Sequence, residues 1–216
     1  MAKVFLSPSN QYDNVYAYGN TTEGVQCGKI ADACKIALER SGVDVMLMHD
    51  ESMQTKCAES NKFGADLHVP IHTNAFNGKV MGTRMFCYNT GKGMAACKAI
   101  FARVAPMSPG TSENIQVNQK LYEVRVPAAP TAYIECEFHD TVEGAKWIVD
   151  NTTAIGEAIA HGICDYLGVT FKSPEQPATD KLYRVQVGAF ANRENAEKML
   201  QRLKDAGFDA FIRQDT

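Results

Sequence analysis

The sequence predicts an α/β protein, a twisted and mostly parallel sheet flanked by helices, with a small C-terminal βαβ unit. Three observations predict it. Short runs of apolar β-forming residues alternate with segments of helical apolar period from the first residues onward. Glycines stand where the helical segments should stop. A proline-containing stretch, Ser173-Pro174-Glu175-Gln176-Pro177-Ala178, separates a short tail from everything before it.

Val4–Leu6 is the first predicted strand. Val25–Arg40 follows as an amphipathic helix, with Cys27, Ile30, Ala31, Cys34, Ala37 and Leu38 on one face and Gly42 as its stop. Val43–Met48 is the second strand, Glu51–Asn61 a short helix closed near Gly64, and Asp66–Ile71 the third strand. Thr83–Tyr88 reads as a strand, Met94–Val104 as a helix, Thr131–Ile134 as a buried strand and Val142–Leu167 as one or two helices. These assign 1–168 to one doubly wound domain and 169–181 to a linker. In the tail, 182–216, Tyr183, Val185 and Val187 alternate with polar residues as in a half-buried strand. Asn192 caps a helix striped by Ala196, Met199, Leu200 and Leu203, and Phe208–Arg213 returns as a strand.

The 216 residues are 45% hydrophobic and 22% charged, the balance of a chain that folds by burying a core. A formal net charge of -3, with acids and bases interspersed, gives no footprint for nucleic acid or for an anionic membrane surface. No apolar run approaches the length of a membrane span. Met1-Ala2-Lys3 runs directly into a strand, so the expectation is a protein made in the cytoplasm without a signal peptide. The seven cysteines form no C-x-x-C pair, and several fall on apolar helical phases, as reduced buried thiols do.

The third strand ends in His68-Val69-Pro70-Ile71-His72-Thr73-Asn74, placing His72 at a strand's carboxyl end, where open α/β sheets bind ligands. A lone histidine there is more often satisfied by a loop carbonyl, so its company decides. Glu23, just ahead of the first helix, suits either a helix-terminus charge or a ligand. The apolar strand before Glu135-Cys136-Glu137-Phe138-His139 runs straight into ionisable residues. If it continues, Glu135, Glu137 and His139 share one face, and burying them together requires a cation or a proton.

These segments resemble the zinc-dependent N-acetylmuramoyl-L-alanine amidases over about residues 3 to 168. Pro70-Ile71-His72-Thr73-Asn74-Ala75 is similar to their S-I-H-x-N-A segment, and Tyr133-Ile134-Glu135-Cys136-Glu137-Phe138 to their L-V-E-x-G-F segment. The resemblance implies one Zn²⁺ ion held by Glu23 and His72, with Glu135 as the catalytic glutamate. It departs at the first strand, where family members have a histidine ligand in D-P-G-H-G-G and this chain reads Ser7-Pro8-Ser9-Asn10-Gln11-Tyr12. Asn10 stands at the histidine position and is the expected third ligand, with Gln11, His68 and His139 as substitutes. An amide oxygen is a weaker zinc donor than imidazole.

The implied reaction is metal-assisted hydrolysis of the amide between the lactyl group of N-acetylmuramic acid and L-alanine. Glu135 moves the proton, Glu137 shapes the site, and Arg125 meets a stem-peptide carboxylate. The alternatives are a wall-binding protein on a dead amidase fold and a zinc peptidase cutting within the stem peptide. The tail resembles the first half of a sporulation-related (SPOR) repeat, which binds peptidoglycan. Half a module is too small to bury a core alone, so self-pairing into a homodimer is the expected arrangement. Release by lysis or through a pore, as a phage lysin or a sporulation enzyme, would bring the protein to the wall.

Overall fold

The computed structural model describes residues 1–174 and 185–213. The chain divides into two compact units, Met1–Pro174 and Glu175–Thr216. The first unit contains β1 (Lys3–Pro8), α1 (Glu23–Arg40), β2 (Asp44–Leu47), α2 (Met53–Phe63), β3 (Leu67–Asn74), β4 (Arg84–Cys87) and α3 (Lys92–Val104). It continues through β5 (Asn114–Val117), the one-turn α4 (Tyr122–Arg125), β6 (Tyr133–Phe138) and α5 (Val142–Leu167).

The sheet order is β2-β1-β3-β6-β4-β5. β2, β1, β3 and β6 are parallel, whereas β4 meets β6 antiparallel and β5 lies parallel to β4. Alternation along the strands divides the two faces. Val4, Leu6, Leu67, Val69, Ile71, Ile134 and Cys136 join Ile30, Cys34, Ile100, Ile148, Ile155 and Ile163 from α1, α3 and α5 in the apolar core. His68, His72, Tyr133 and Glu135 occupy the intervening positions and face the other way. All seven cysteines are free and buried, Cys27, Cys34 and Cys97 among them on the apolar helical phases that predict it.

The strands run beyond their predicted ends in β3 and β6, because polar residues at strand termini carry backbone ladders as well as apolar ones do. β5 and α4 escaped the sequence reading, since a four-residue edge strand and a single helical turn are too short to establish a period. α5 stops at Gly168, whose φ of 68° suits a glycine cap. The fold continues past that cap: Phe171 stacks on His161 with ring centroids 4.3 Å apart, and Lys172 N donates to Ser41 Oγ at 3.1 Å. Val169–Lys172, read as linker, therefore packs on the first unit. The linker residues 175–181 and the start of the tail's first strand, 182–184, lie outside the described residues.

In the second unit α6 (Arg193–Asp205) forms as predicted, with Asn192 Oδ1 accepting from Glu194 N at 2.8 Å. The two flanking strands do not form among the described residues. No side chain of α6 is buried, and Val185, Phe208 and Phe211 are 89%, 63% and 82% exposed. A strand persists only when a ladder partner and an apolar cover offset its ordering entropy, and the described residues of this unit supply too little of either.

Candidate active site

The loop between β1 and α1 folds back on the start of that helix. Glu23 N donates to Asn14 O at 2.9 Å and Gly24 N to Gln11 O at 3.1 Å. This places two amide side chains on the Glu23 carboxylate: Asn14 Nδ2 donates to Oε2 at 2.7 Å, and Gln11 Nε2 lies 3.3 Å from Oε1. Glu23 is 1% exposed. From β3, His72 brings Nδ1 to 2.9 Å from Glu23 Oε1. The His72 ring stacks on Tyr133, centroids 4.7 Å apart, which fixes its orientation.

Glu135 is the register partner of His72 across the parallel β3–β6 ladder, so the two side chains stand abreast on one face. Glu135 is partly buried, and its Oε2 is closed off with no hydrogen-bond partner among the described residues. Burial pushes the Glu135 carboxyl up to about 7, against the opposing charge of His72 and with the like charge of Glu23. Burial would also raise Glu23, but the hydrogen bond and charge of His72 outweigh it and hold Glu23 below the ordinary carboxylate value. For His72, burial opposes protonation, while the Glu23 hydrogen bond and the Glu135 charge overcome it and raise its pKa. The result is one ionised carboxylate paired to a histidine, with a second carboxyl beside them that can hold or release a proton near neutrality.

The remaining predicted residues lie as follows. Asn10 is exposed and its amide donates to Glu51 O at 3.1 Å, whereas Gln11 meets Glu23. His68 is fully buried, stacked on Phe5, with Nδ1 3.0 Å from Ser60 Oγ. β6 ends at Phe138, and an irregularity in the ladder between His72 and Asn74 breaks the alternation. His139 consequently does not share a face with Glu135. It stacks on Tyr16 and its Nδ1 lies 2.9 Å from Thr73 Oγ1. Glu137 is fully buried and accepts from Gly82 N at 2.6 Å and from Ser108 Oγ, so it ties two loops together. Arg125 is exposed on α4, its guanidinium over the Tyr122 ring. Asn14, Tyr133 and Arg84 were missed; the Q-x-x-N spacing of the loop amides Gln11 and Asn14 and an arginine opening a strand were the available signals.

The donors present fit a divalent cation. Ligands at about 2.0–2.2 Å in a tetrahedron lie roughly 3.3 Å apart, so Glu23 Oε1 and His72 Nδ1 need separate only slightly to admit one. Gln11 can offer its amide oxygen by a flip of the terminal group. Among the described residues one other group gathers zinc-type donors, Cys57, His68 and Glu123, with ligand atoms within 4.8 Å of one another. Its donor chemistry is compatible with zinc, but it offers three donors where a closed structural site takes four, and its burial leaves no open position. Lys56, 2% exposed with Nζ on Pro8 O at 2.6 Å, already supplies a cation near Glu123. Ser7 Oγ also donates to Glu123. This group is a buried ion network beneath the strands.

Comparison with known proteins gives a consistent result. The family profile of N-acetylmuramoyl-L-alanine amidase matches residues 11–165 and that of the SPOR domain matches 166–214. A sporulation-specific N-acetylmuramoyl-L-alanine amidase of Bacillus subtilis (strain 168) is 24% identical over 220 residues, covering 98% of this chain and 84% of the relative. The catalytic domain of the amidase CwlV from Bacillus (Paenibacillus) polymyxa superposes with a TM-score of 0.70 at 17% identity, over 79% of this chain and all of that domain. The catalytic domain of the CD27L endolysin, which targets Clostridia difficile, superposes with a TM-score of 0.65 at 18% identity, over 76% and 98% of the two chains.

Proposed function

The chain belongs to the N-acetylmuramoyl-L-alanine amidase family, and from that premise we propose that Glu23, His72 and Gln11 hold one zinc ion while Glu135 transfers the proton. The protein is a peptidoglycan amidase, and the scissile bond joins the lactyl carbonyl of N-acetylmuramic acid to L-alanine. The observation that carries the assignment is the pairing of His72 with Glu23 directly beside a carboxyl whose Oε2 has no partner among the described residues.

When bound, the ion supplies polarisation of the lactyl carbonyl and acidification of the attacking water. The chain's own groups do the rest. Glu135, ionised, accepts a proton from the water and returns it to the departing L-alanine nitrogen; a pKa near neutrality suits a group that must both take and give. Asn14 fixes the second oxygen of Glu23 and Tyr133 clamps the His72 ring, so the donors keep their directions through the reaction. Gln11 rather than Asn10 completes the donor set, because Gln11 meets Glu23 and Asn10 meets the Glu51 carbonyl. Digestion of purified muropeptides with and without a chelator tests this reading. Free stem peptide beginning at L-alanine, lost on chelation and restored by zinc, supports it; fragments cut within the peptide would assign a peptidase instead.

The tail gives attachment. Its match to the SPOR profile supports peptidoglycan binding, and its exposed Val185, Phe208 and Phe211 support pairing with the same unit of a second chain into a homodimer. The likeness to a sporulation-specific amidase over 98% of this chain and 84% of that relative supports wall turnover during sporulation, on wall reached after release by lysis, in preference to a phage lysin. Wall-turnover phenotype in a sporulating deletion strain tests that choice.

A further inference from the structure

Arg84 opens β4 opposite Glu135 in the antiparallel β4–β6 ladder. Directly opposed residues of such a pair project to the same face with Cβ atoms about 4.5–5.5 Å apart. Arg84 therefore stands on the face that carries Glu135, His72 and Tyr133. It is half-buried, its guanidinium lies 5.1 Å over the Phe138 ring, and Nη2 donates to Ser112 Oγ at 3.0 Å. Among the described residues it makes no ion pair. Its charge favours ionisation of Glu135 without coming into ion-pair contact with it, and the hydrogen bonds to Ser112 leave several of its five N–H donors unused.

The surroundings fix that cation in place. A Cβ on Gly110 would come within 2.1 Å of the Met81 carbonyl carbon, and one on Gly82 within 2.8 Å of the Ser112 backbone, so the two loops cross where only glycine fits. The buried Glu137 carboxylate ties the same loops together through Gly82 N and Ser108 Oγ. Ser112, which holds Arg84, also lines an open cavity of about 320 Å³ with Lys79, Met81, Pro109 and Thr111. That is the lower range of small-ligand sites.

We propose that Arg84 is a specificity-determining residue that binds the free carboxylate borne by the second residue of the stem peptide. The proposal rests on the amidase reading. With the amide of L-alanine at Glu135, a carboxylate one residue further lies within about 7 Å of it at 3.3–3.6 Å per residue. A cross-strand neighbour with a long guanidinium arm spans that distance. The unused N–H donors of Arg84 match a carboxylate in charge and in planar geometry. Arg125, exposed over its own helix neighbour Tyr122, has no comparable relation to Glu135.

The test uses two disaccharide-tripeptides that differ only at the second residue, one with the D-isoglutamate carboxylate and one with the D-isoglutamine carboxamide. Wild type should favour the carboxylate in kcat/KM by roughly 10- to 100-fold, the range of a hydrogen bond to a charged group. Arg84→Gln should erase the preference and Arg84→Lys should keep part of it. Because the ratio is taken within each protein, a loss of folded material cancels. Binding of both uncleaved ligands to Glu135→Gln, with and without Arg84→Gln, should give the same preference in Kd. No preference in wild type, or an equal loss on both ligands in Arg84→Gln, overturns the assignment. If wild type releases the tripeptide with a free L-alanine amino terminus from neither ligand, the amidase reading fails instead, and the binding ratios still judge Arg84.

Discussion

Glu135→Gln should remove turnover while stabilising the metal-free protein at alkaline pH. In the folded chain burial holds the Glu135 carboxyl up at about 7, against an ordinary value of 4.5. Below 4.5 both folded and unfolded forms carry the proton, and Glu135 makes no pH-dependent difference. As pH rises from 4.5 to about 7 the unfolded chain ionises first, so it binds fewer protons and the folded state loses stability. Above 7 the loss is complete. At about 1.36 kcal/mol per pH unit it amounts to about 3 kcal/mol. Glutamine keeps the size, cannot ionise, and removes this dependence. Urea unfolding of chelated wild type and variant between pH 5 and 8.5 measures it: the variant should gain on wild type as pH rises, by up to that amount. The same substitution should cost about 10²–10⁴ in kcat with zinc present, the usual share of an acid/base group. Parallel stability profiles would refute the buried-carboxyl argument, and activity within about tenfold of wild type would refute the proton-transfer role.

Glu23→Ala and His72→Ala should each lose bound zinc by elemental analysis, since each removes a donor from a three-ligand set; unchanged stoichiometry in both would place the ion elsewhere. Gln11→His should tighten zinc in chelator competition while Asn10→His leaves it unchanged, because Gln11 meets Glu23 and Asn10 meets Glu51; the reverse order would restore Asn10 as the ligand. Truncation after Pro174, which spares the packed Phe171 and Lys172, should leave cleavage of soluble muropeptides intact and turn a dimer into a monomer in sedimentation. A full-length monomer at high micromolar concentration would exclude pairing through the tail.

The parallel sheet and its flanking helices were legible because each helix presents an apolar stripe of 3.6-residue period and each central strand an apolar run. His72 and Glu135 were legible for a related reason, being ionisable residues where apolar strands end. What brings them abreast was not: the β3–β6 register is a long-range choice that local sequence does not encode. The loop amides were half legible. Asn10, Gln11 and Asn14 are equivalent in chemistry, and only the backbone bonds of Glu23 and Gly24 into the loop decide which of them reach the carboxylate. His139 was misread because a one-residue irregularity in the ladder changes the face on which later side chains fall. The tail strands were misread because their alternation signals a sheet whose partners the described residues of that unit do not supply.

Hydrolysis of this one amide is read most directly by cleavage of a defined disaccharide-tripeptide in H₂¹⁸O by the zinc-loaded protein. One ¹⁸O is expected in the lactyl carboxylate of N-acetylmuramic acid, with an unlabelled peptide carrying a new amino terminus on L-alanine. Label in a carboxylate of the peptide, or no incorporation into either product, would contradict it.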